Sequence, residues 1–370
     1  MRLSVSKAAL QQAVTQASRA VSGRAPMPAL SGLLLRADDN GLTITGYDLE
    51  LAIETRIPAT IEEPGEMVVP AKQFGGIVKA LGHSEVVLSQ QENSLKIQAD
   101  RAQFTLQTLN AQEYPALPEV GGQFAIIPHE AFRECARKVS YAAAVAAART
   151  TYMAVHTTIA DGELTMVATD TFRLAVRRAP APDCEPLSVL LPVGFVSEIE
   201  RLGGAVHLHL TDNHVQVQSG DTRVISRLIE GQWPDWRQVI PSESSVTTWV
   251  TVDRDALAGA LQRVSLMCKD DLTAVDVRID PDTKDDLIIT ATHAEVGEAR
   301  EEMNVFCDGE CSMDVAIRPR YLRDALAVMG GKDAQIGYCG PKRPVILRDE
   351  SDPGWTYVVM PVTRPNASGV

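Results

Sequence analysis

Two periods of apolar and polar residues recur along the chain. Where they alternate every second residue, as in Val206-His207-Leu208-His209-Leu210, the pattern predicts strands with one buried face. Where apolar residues return at helical spacing, the pattern predicts helices. Residues 4–21, 128–143 and 252–268 read as one set of helices, and residues 70–82, 192–204 and 319–331 as a second. The second set is punctuated alike: Pro70, Pro192 and Pro319 open it, and Gly82, Gly203-Gly204 and Gly330-Gly331 close it. Proline suits the first helical turn and glycine the stop.

These elements form an internal repeat. The three prolines lie 122 and 127 residues apart. A strand pair also recurs, turning at Asp39-Asn40-Gly41, Asp161-Gly162 and Asp280-Pro281-Asp282. Asn-Gly and Asp-Gly are strong hairpin signals. Asp48, Asp170 and His293 follow the pair at spacings of 122 and 123. Each repeat reads helix, strands, helix, strands. The expectation is an α+β protein of three two-layer domains, near residues 1–122, 123–246 and 247–370, with two helices on one sheet in each.

Composition narrows the classes. Among 370 residues, 45% are hydrophobic and 22% charged, enough apolar material for real cores. No run is long enough for a secretory signal or a membrane span, so a cytoplasmic protein is expected. Six dispersed cysteines read as reduced thiols rather than a disulfide framework. The usual catalytic signatures are missing: a phosphate-cradling glycine loop, a Gly-x-Ser-x-Gly elbow, a Cys-x-x-Cys pair. Cys307 and Cys311 lack a second ligand pair, and His207, His209 and His214 read as a solvent-facing strand. Acid pairs such as Asp38-Asp39 read as turns. Neither catalysis nor a metal or cofactor is expected.

Taken as a total, the net charge of −13 speaks against nucleic acid. It is unevenly distributed. The six predicted helices sum to +7, which leaves −20 elsewhere. Arg133 and Arg137 share one helical face and Lys72 and Lys79 another, which suggests one phosphate-facing surface. Size makes this concrete. A domain of ~123 residues is ~35 Å across, so three in a closed ring leave a hole of ~5 Å and six leave ~35 Å. Duplex DNA is roughly 20 Å across. Three domains cannot encircle it, and a head-to-tail dimer giving six can.

At Gly46-Tyr47-Asp48-Leu49-Glu50, Val167-Ala168-Thr169-Asp170, Arg173-Leu174-Ala175-Val176, Trp233-Pro234-Asp235-Trp236-Arg237 and Tyr357-Val358-Val359-Met360-Pro361, the chain resembles the bacterial sliding clamp family, the beta subunit of DNA polymerase III. The likeness spans essentially the whole chain. It implies a ring-shaped homodimer around DNA, helices lining the hole and sheets outside. It implies no catalysis: the ring tethers the replicative polymerase, the clamp loader and other proteins that carry a clamp-binding motif. It implies a nucleoid-associated, cytoplasmic location. An adaptor of the same fold that binds peptides without closing on DNA is the alternative.

The resemblance also assigns residues. It carries DNA contacts to Arg24 and Tyr152, with Arg149 as a looser neighbour, beside the helix cations Lys72, Lys79, Arg133 and Arg137. It places a partner-peptide pocket at Met153, Thr169, Thr171, Phe172, Arg173, Leu174, Pro241, Val246, Val358, Met360, Pro361 and Val362. Phe172 stands where the family often has a smaller or polar residue, which narrows the pocket. The chain runs on past Val362 to Val370, where many relatives stop sooner. For the dimer contact, the resemblance matches Phe104 and Leu106 against Leu266 and Met267. Lys72 and Arg101 are expected opposite Glu298, Glu301 and Glu302, giving orientation more than affinity.

Overall fold

The computed structural model describes residues 1–23, 27–82, 85–203, 206–270 and 272–363. The described residues form six α-helices: α1 (Lys7–Ala17), α2 (Ala71–Ala80), α3 (His129–Val139), α4 (Val193–Arg201), α5 (Arg254–Val264) and α6 (Pro319–Val328). They alternate with strands in the order that the repeat predicts.

The helix starts differ from the sequence reading. Residues 4–6 belong to the strand Arg2–Ser6, where Leu3 and Val5 are buried on alternate positions and pair with the strand Glu85–Gln91. Sheet pairing overrides helical spacing there. Likewise Val252 and Asp253 end the strand Thr248–Asp253, and the Asp253 carboxylate caps α5 by accepting from Ala256 N at 2.8 Å. Pro70 and Pro192 close the strands Gly65–Pro70 and Leu187–Pro192; of the three prolines, Pro319 alone sits inside a helix.

The strands of each repeat divide between two sheets rather than forming one. A five-stranded sheet has Glu85–Gln91 at its centre, flanked by Arg2–Ser6 and Ser94–Ala99, and ends on Ala102–Gln107. An eight-stranded sheet joins strands from two repeats, through Leu51–Ile57 paired antiparallel with Thr222–Arg227. A nine-stranded sheet does the same through Arg173–Pro180 and Trp355–Val359. A four-stranded sheet ends on Gly297–Asn304. The compact units therefore cut across the repeats: residues 1–129 with 197–228 form one, residues 130–196 with 229–370 the other.

In the first unit, α1 buries Leu10, Ala13, Val14 and Ala17, and α2 buries Phe74 and Val78, in a core with Leu33, Leu35, Leu42 and Ile44. Lys7 is buried, so it adds nothing to the exposed charge counted on α1. In the second unit, α3 buries Phe132, Cys135, Ala136 and Val139 and leaves Arg133 and Arg137 exposed. Helices α5 and α6 pack on one another.

A buried charge cluster ties the second unit together. Lys138 Nζ bonds Asp352 and lies 3.9 Å from Asp349, and Arg177 bridges Asp352 and Glu134 at 2.9 Å each. Trp355 Nε1 donates to the Lys138 carbonyl at 3.0 Å. Asp349 also explains the paired glycines after α6. Its Oδ2 accepts from Gly330 N and Gly331 N, and a Cβ on Gly331 would meet Oδ1 at 2.5 Å. These glycines serve a close approach, not a left-handed turn.

Burial alone would raise the Asp349 pKa. The Ser351 hydroxyl and the amides of Gly330, Gly331 and Ser351 outweigh it and hold the pKa below the usual value. The group therefore adds stability above the unfolded carboxylate pKa of about 3.9, and that stability is lost as pH falls through the folded value. Asp349→Asn is expected to cost about 2 kcal/mol at pH 7, because bonds to a charged acceptor are replaced. The difference should shrink below pH ~4. Urea titrations of both proteins across pH check this.

Candidate functional site

The site begins at a turn. Strands Glu163–Thr169 and Arg173–Pro180 pair antiparallel and are joined by Asp170, Thr171 and Phe172. Asp170 Oδ1 accepts from Phe172 N and Arg173 N, both at 2.9 Å. Thr169 Oγ1 accepts from Thr171 N and donates to Arg173 O. This holds Thr171 at φ 77°, left-handed backbone that β-branched residues rarely adopt. The first repeat builds the same turn: Asp48 Oδ1 accepts from Glu50 N and Leu51 N, and Leu49 sits at φ 78°. In the third repeat, His293 Nδ1 accepts from Glu295 N. The equivalent positions seen in the sequence are thus turn-forming side chains. Turned outward, Phe172 is 49% exposed, and its carbonyl accepts from Met360 N at 2.8 Å.

Arg173 is buried beneath this turn. It bonds Asp170 Oδ2 at 3.0 Å, Asp324 Oδ2 at 2.6 Å and the Tyr141 carbonyl at 2.6 Å, and lies over the Tyr321 ring at 4.6 Å. Burial works against its charge, but Tyr357, Asp324 and Asp170 outweigh it and raise the pKa. Arg173 is engaged in its own fold; it holds the site rather than offering a free cation. Tyr141 is pushed well up by burial.

Beside the turn is a cavity of about 200 Å³. Leu174 and Val358, opposite one another across the ladder, line it with Thr169 and Arg173. Thr171, Phe172 and Met360 line it too, and Tyr152, Pro234, Trp236 and Val239 complete it. Trp236 is nearly buried against Val167, Leu174 and Val176, with the Arg237 guanidinium 4.5 Å from its ring. Trp233 stacks on His156 at 5.5 Å; burial and then Arg237 lower the His156 pKa. The lining is mostly apolar, with Thr169, Thr171 and Arg173 among it, fit for apolar side chains of a short segment.

A broader groove of about 710 Å³ shares Tyr152, Thr171, Phe172 and Arg173 with the cavity. It runs along residues 143–149 to Leu272, Arg318 and Tyr321.

Of the expected pocket residues, Thr169, Thr171, Phe172, Arg173, Leu174, Val358 and Met360 come together here. Met153, Pro241, Val246, Pro361 and Val362 are half-buried and do not line this cavity; Val362 N instead donates to Ala316 O at 2.7 Å. Tyr152, expected at DNA, lines both the cavity and the groove. Pro234, Trp236 and Val239 were missed. Their signal was the Trp233 to Arg237 motif, which no spacing rule ties to strands 60 residues earlier.

Arg24 and residues 364–370 lie outside the described residues. Lys72, Lys79, Arg133, Arg137 and Arg149 are exposed, and none forms an ion pair among the described residues. Other helix cations are engaged: Arg19 with Glu198 at 2.7 Å, Arg254 with Asp255 at 2.8 Å, Arg263 with Glu301 at 2.7 Å. A polar groove between α5 and α6 carries Arg254, Arg320 and Arg323 against Asp255 and Asp324.

Phe104 and half-buried Leu106 lie on the edge strand Ala102–Gln107, which pairs on one side only. Leu266 is 70% exposed and Met267 half-buried, just after α5. Glu298 and Arg101 are exposed, whereas Glu301 accepts from Arg263 and Glu302 from Arg300. His207 and His209 are half-buried opposite Gln218 and Gln216. Among the described residues, no three His, Cys, Asp or Glu side chains are grouped to hold a metal ion. Burial pushes the Cys135 thiol up to about 12. Burial and a hydrogen bond with Cys311 do the same to Cys307.

Comparison with known proteins agrees with this geometry. Models of the N-terminal, central and C-terminal domains of the DNA polymerase III beta subunit match residues 1–118, 126–235 and 237–363. The beta sliding clamp of Caulobacter vibrioides is 31% identical over 98% of this chain and 100% of its own. The chain belongs to the beta sliding clamp family. The clamp of Bacillus subtilis is 29% identical over 98% of this chain and 99% of its own. Its crystal structure superposes with a TM-score of 0.87 at 27% identity, covering 99% of this chain and all of that one. A Pseudomonas aeruginosa sliding clamp, solved bound to griselimycin, has a TM-score of 0.86 at 27% identity over 98% of this chain and all of its own.

Trp236 closes one wall of the clamp cavity, so Trp236→Ala leaves an apolar void beneath the turn. The expected loss is about 3 kcal/mol. Guanidinium unfolding of the variant and the parent protein measures it.

Proposed function

We propose that this chain is a DNA sliding clamp: a non-catalytic ring that holds duplex DNA inside and tethers the replicative polymerase and other DNA enzymes. The observation that carries the reading is membership of the clamp family along the whole chain, through all three repeats. The charge distribution supports it physically. Lys72 and Lys79 on α2 and Arg133 and Arg137 on α3 are exposed cations on a chain of net charge −13. Basic helix faces accept phosphates without reading bases, and an acidic remainder repels DNA from other surfaces. Encirclement retains DNA where weak contacts alone would not.

In this reading the six-domain ring is a head-to-tail dimer with the three domains near residues 1–122, 123–246 and 247–370. The edge strand Ala102–Gln107 with Phe104 and Leu106 meets the partner's surface around Leu266 and Met267, and Lys72 and Arg101 face Glu298. Partner proteins insert apolar side chains into the cavity at Leu174 and Val358, with Met153, Pro241, Val246, Pro361 and Val362 as its further margin. Arg24, Arg149 and Tyr152 contact DNA. The protein acts in the cytoplasm at the nucleoid. No helix among the described residues is long and apolar enough to cross a membrane.

Loaded on nicked circular DNA, the protein is expected to stay bound until the circle is linearised. A peptide adaptor that never closes would show no such dependence. Arg133→Glu with Arg137→Glu should lower retention and flatten the salt dependence by about two phosphate contacts; unchanged retention counts against this lumen assignment. Sedimentation at micromolar concentration should give a dimer, and Phe104→Glu with Leu266→Glu a monomer. A parent protein that sediments only as a monomer overturns the ring.

A further inference from the structure

Phe172 lines both the apolar cavity and the broader groove, and Arg318 lies against it. The Arg318 guanidinium is 4.8 Å from the Phe172 ring centroid and 5.5 Å from that of Tyr321. Its Nη1 donates to the Tyr321 hydroxyl at 2.9 Å. Its Nε is buried without a hydrogen-bond partner. No carboxylate pairs with Arg318 among the described residues. The acid lining the same groove, Asp170, is taken by Arg173 at 3.0 Å. An arginine carries five donors in a planar fork. Here the fork is held on two aromatic faces beside an apolar cavity, with donors left over. A fork already fixed loses little freedom on binding an anion, and a nearby carboxylate gives the strongest complement to it.

We propose that Arg318, stacked on Phe172, recognises an acidic side chain of the partner segment next to the residue that fills the apolar cavity. Arg318 is then a specificity-determining residue of this clamp. The proposal rests on the reading of the cavity as a peptide site. The groove continues past Arg318 along residues 143–148 to the exposed Leu272, so a bound segment has room to run on. That favours a side-chain carboxylate over a chain terminus. The exposed Arg149 in the same groove adds positive charge. Phe172 acts as a positioning residue, because it touches the guanidinium face and sets its height.

The test uses the full-length protein and phage-displayed random decapeptides, selected on the parent protein, Arg318→Gln and Met360→Asp. Selection on the parent should enrich Asp or Glu next to a large apolar residue. Arg318→Gln should keep the apolar residue and lose the acid. In synthetic copies of an enriched peptide, Asp→Asn should weaken binding to the parent about tenfold and to Arg318→Gln less than twofold. If the neutral variant fails to fold, Arg318→Lys carries the test: it keeps the charge but not the fork, and should lose about threefold of the discrimination. Phe172→Leu should reduce the acid preference in the same direction. An acid preference that persists on Arg318→Gln, or that is missing from the parent, overturns the proposal. So does a loss that follows amidation of the peptide's C-terminus rather than Asp→Asn. Failure of the peptide-site reading looks different: no peptide is enriched at all, or Met360→Asp leaves enrichment untouched, and both readings then fall.

Discussion

A strand edge left unpaired invites association with whatever strand comes near, and two antiparallel ladders close four such edges here. Leu51–Ile57 pairs with Thr222–Arg227, and Arg173–Pro180 with Trp355–Val359. Both ladders join one repeat to the next. The repeats share sheets, which is why the compact units of the chain do not follow the repeat boundaries. The strands Ala102–Gln107 and Gly297–Asn304 remain as long edges at the ends of their sheets, one in each unit. In the proposed dimer a second copy covers edges of this kind.

The second ladder also makes the site. It sets Leu174 opposite Val358, so strands about 180 residues apart in the chain supply one apolar surface. Charge reinforces the join. Lys138, Arg177, Asp349 and Asp352 form a buried cluster whose members come from two repeats, and Arg173 links the turn at Asp170 to Asp324 on α6. Each of these ions is costly to bury alone, and each is matched by partners that the ladder brings within reach. The turn over this framework is strained at Thr171, and the strain is what aims Phe172 outward.

The distribution of cations follows the same logic. Arg19, Arg254 and Arg263 are engaged by carboxylates of their own chain, while Lys72, Lys79, Arg133 and Arg137 are not. A sum over helices treats these alike. Only the unpaired set has charge to offer a phosphate, so the surface available to DNA in the proposed ring is narrower than the +7 suggests.

The sequence by itself determined the threefold repeat, the six helices and the hairpins. Those signals are local: a helical period, an Asn-Gly or Asp-Gly turn, an Asp at a fixed spacing whose carboxylate caps its own turn. It also determined the family, because motifs such as Val167 to Asp170 are contiguous. It mistook Ser4–Ser6 and Val252–Asp253 for helix, because strand pairing is decided by residues far along the chain. Only the tertiary structure decided which strands share a sheet, which cations are already paired, and that Trp236 rather than Val362 lines the cavity. Those outcomes depend on distances between residues with no fixed spacing in sequence, and they are set when the ladders close.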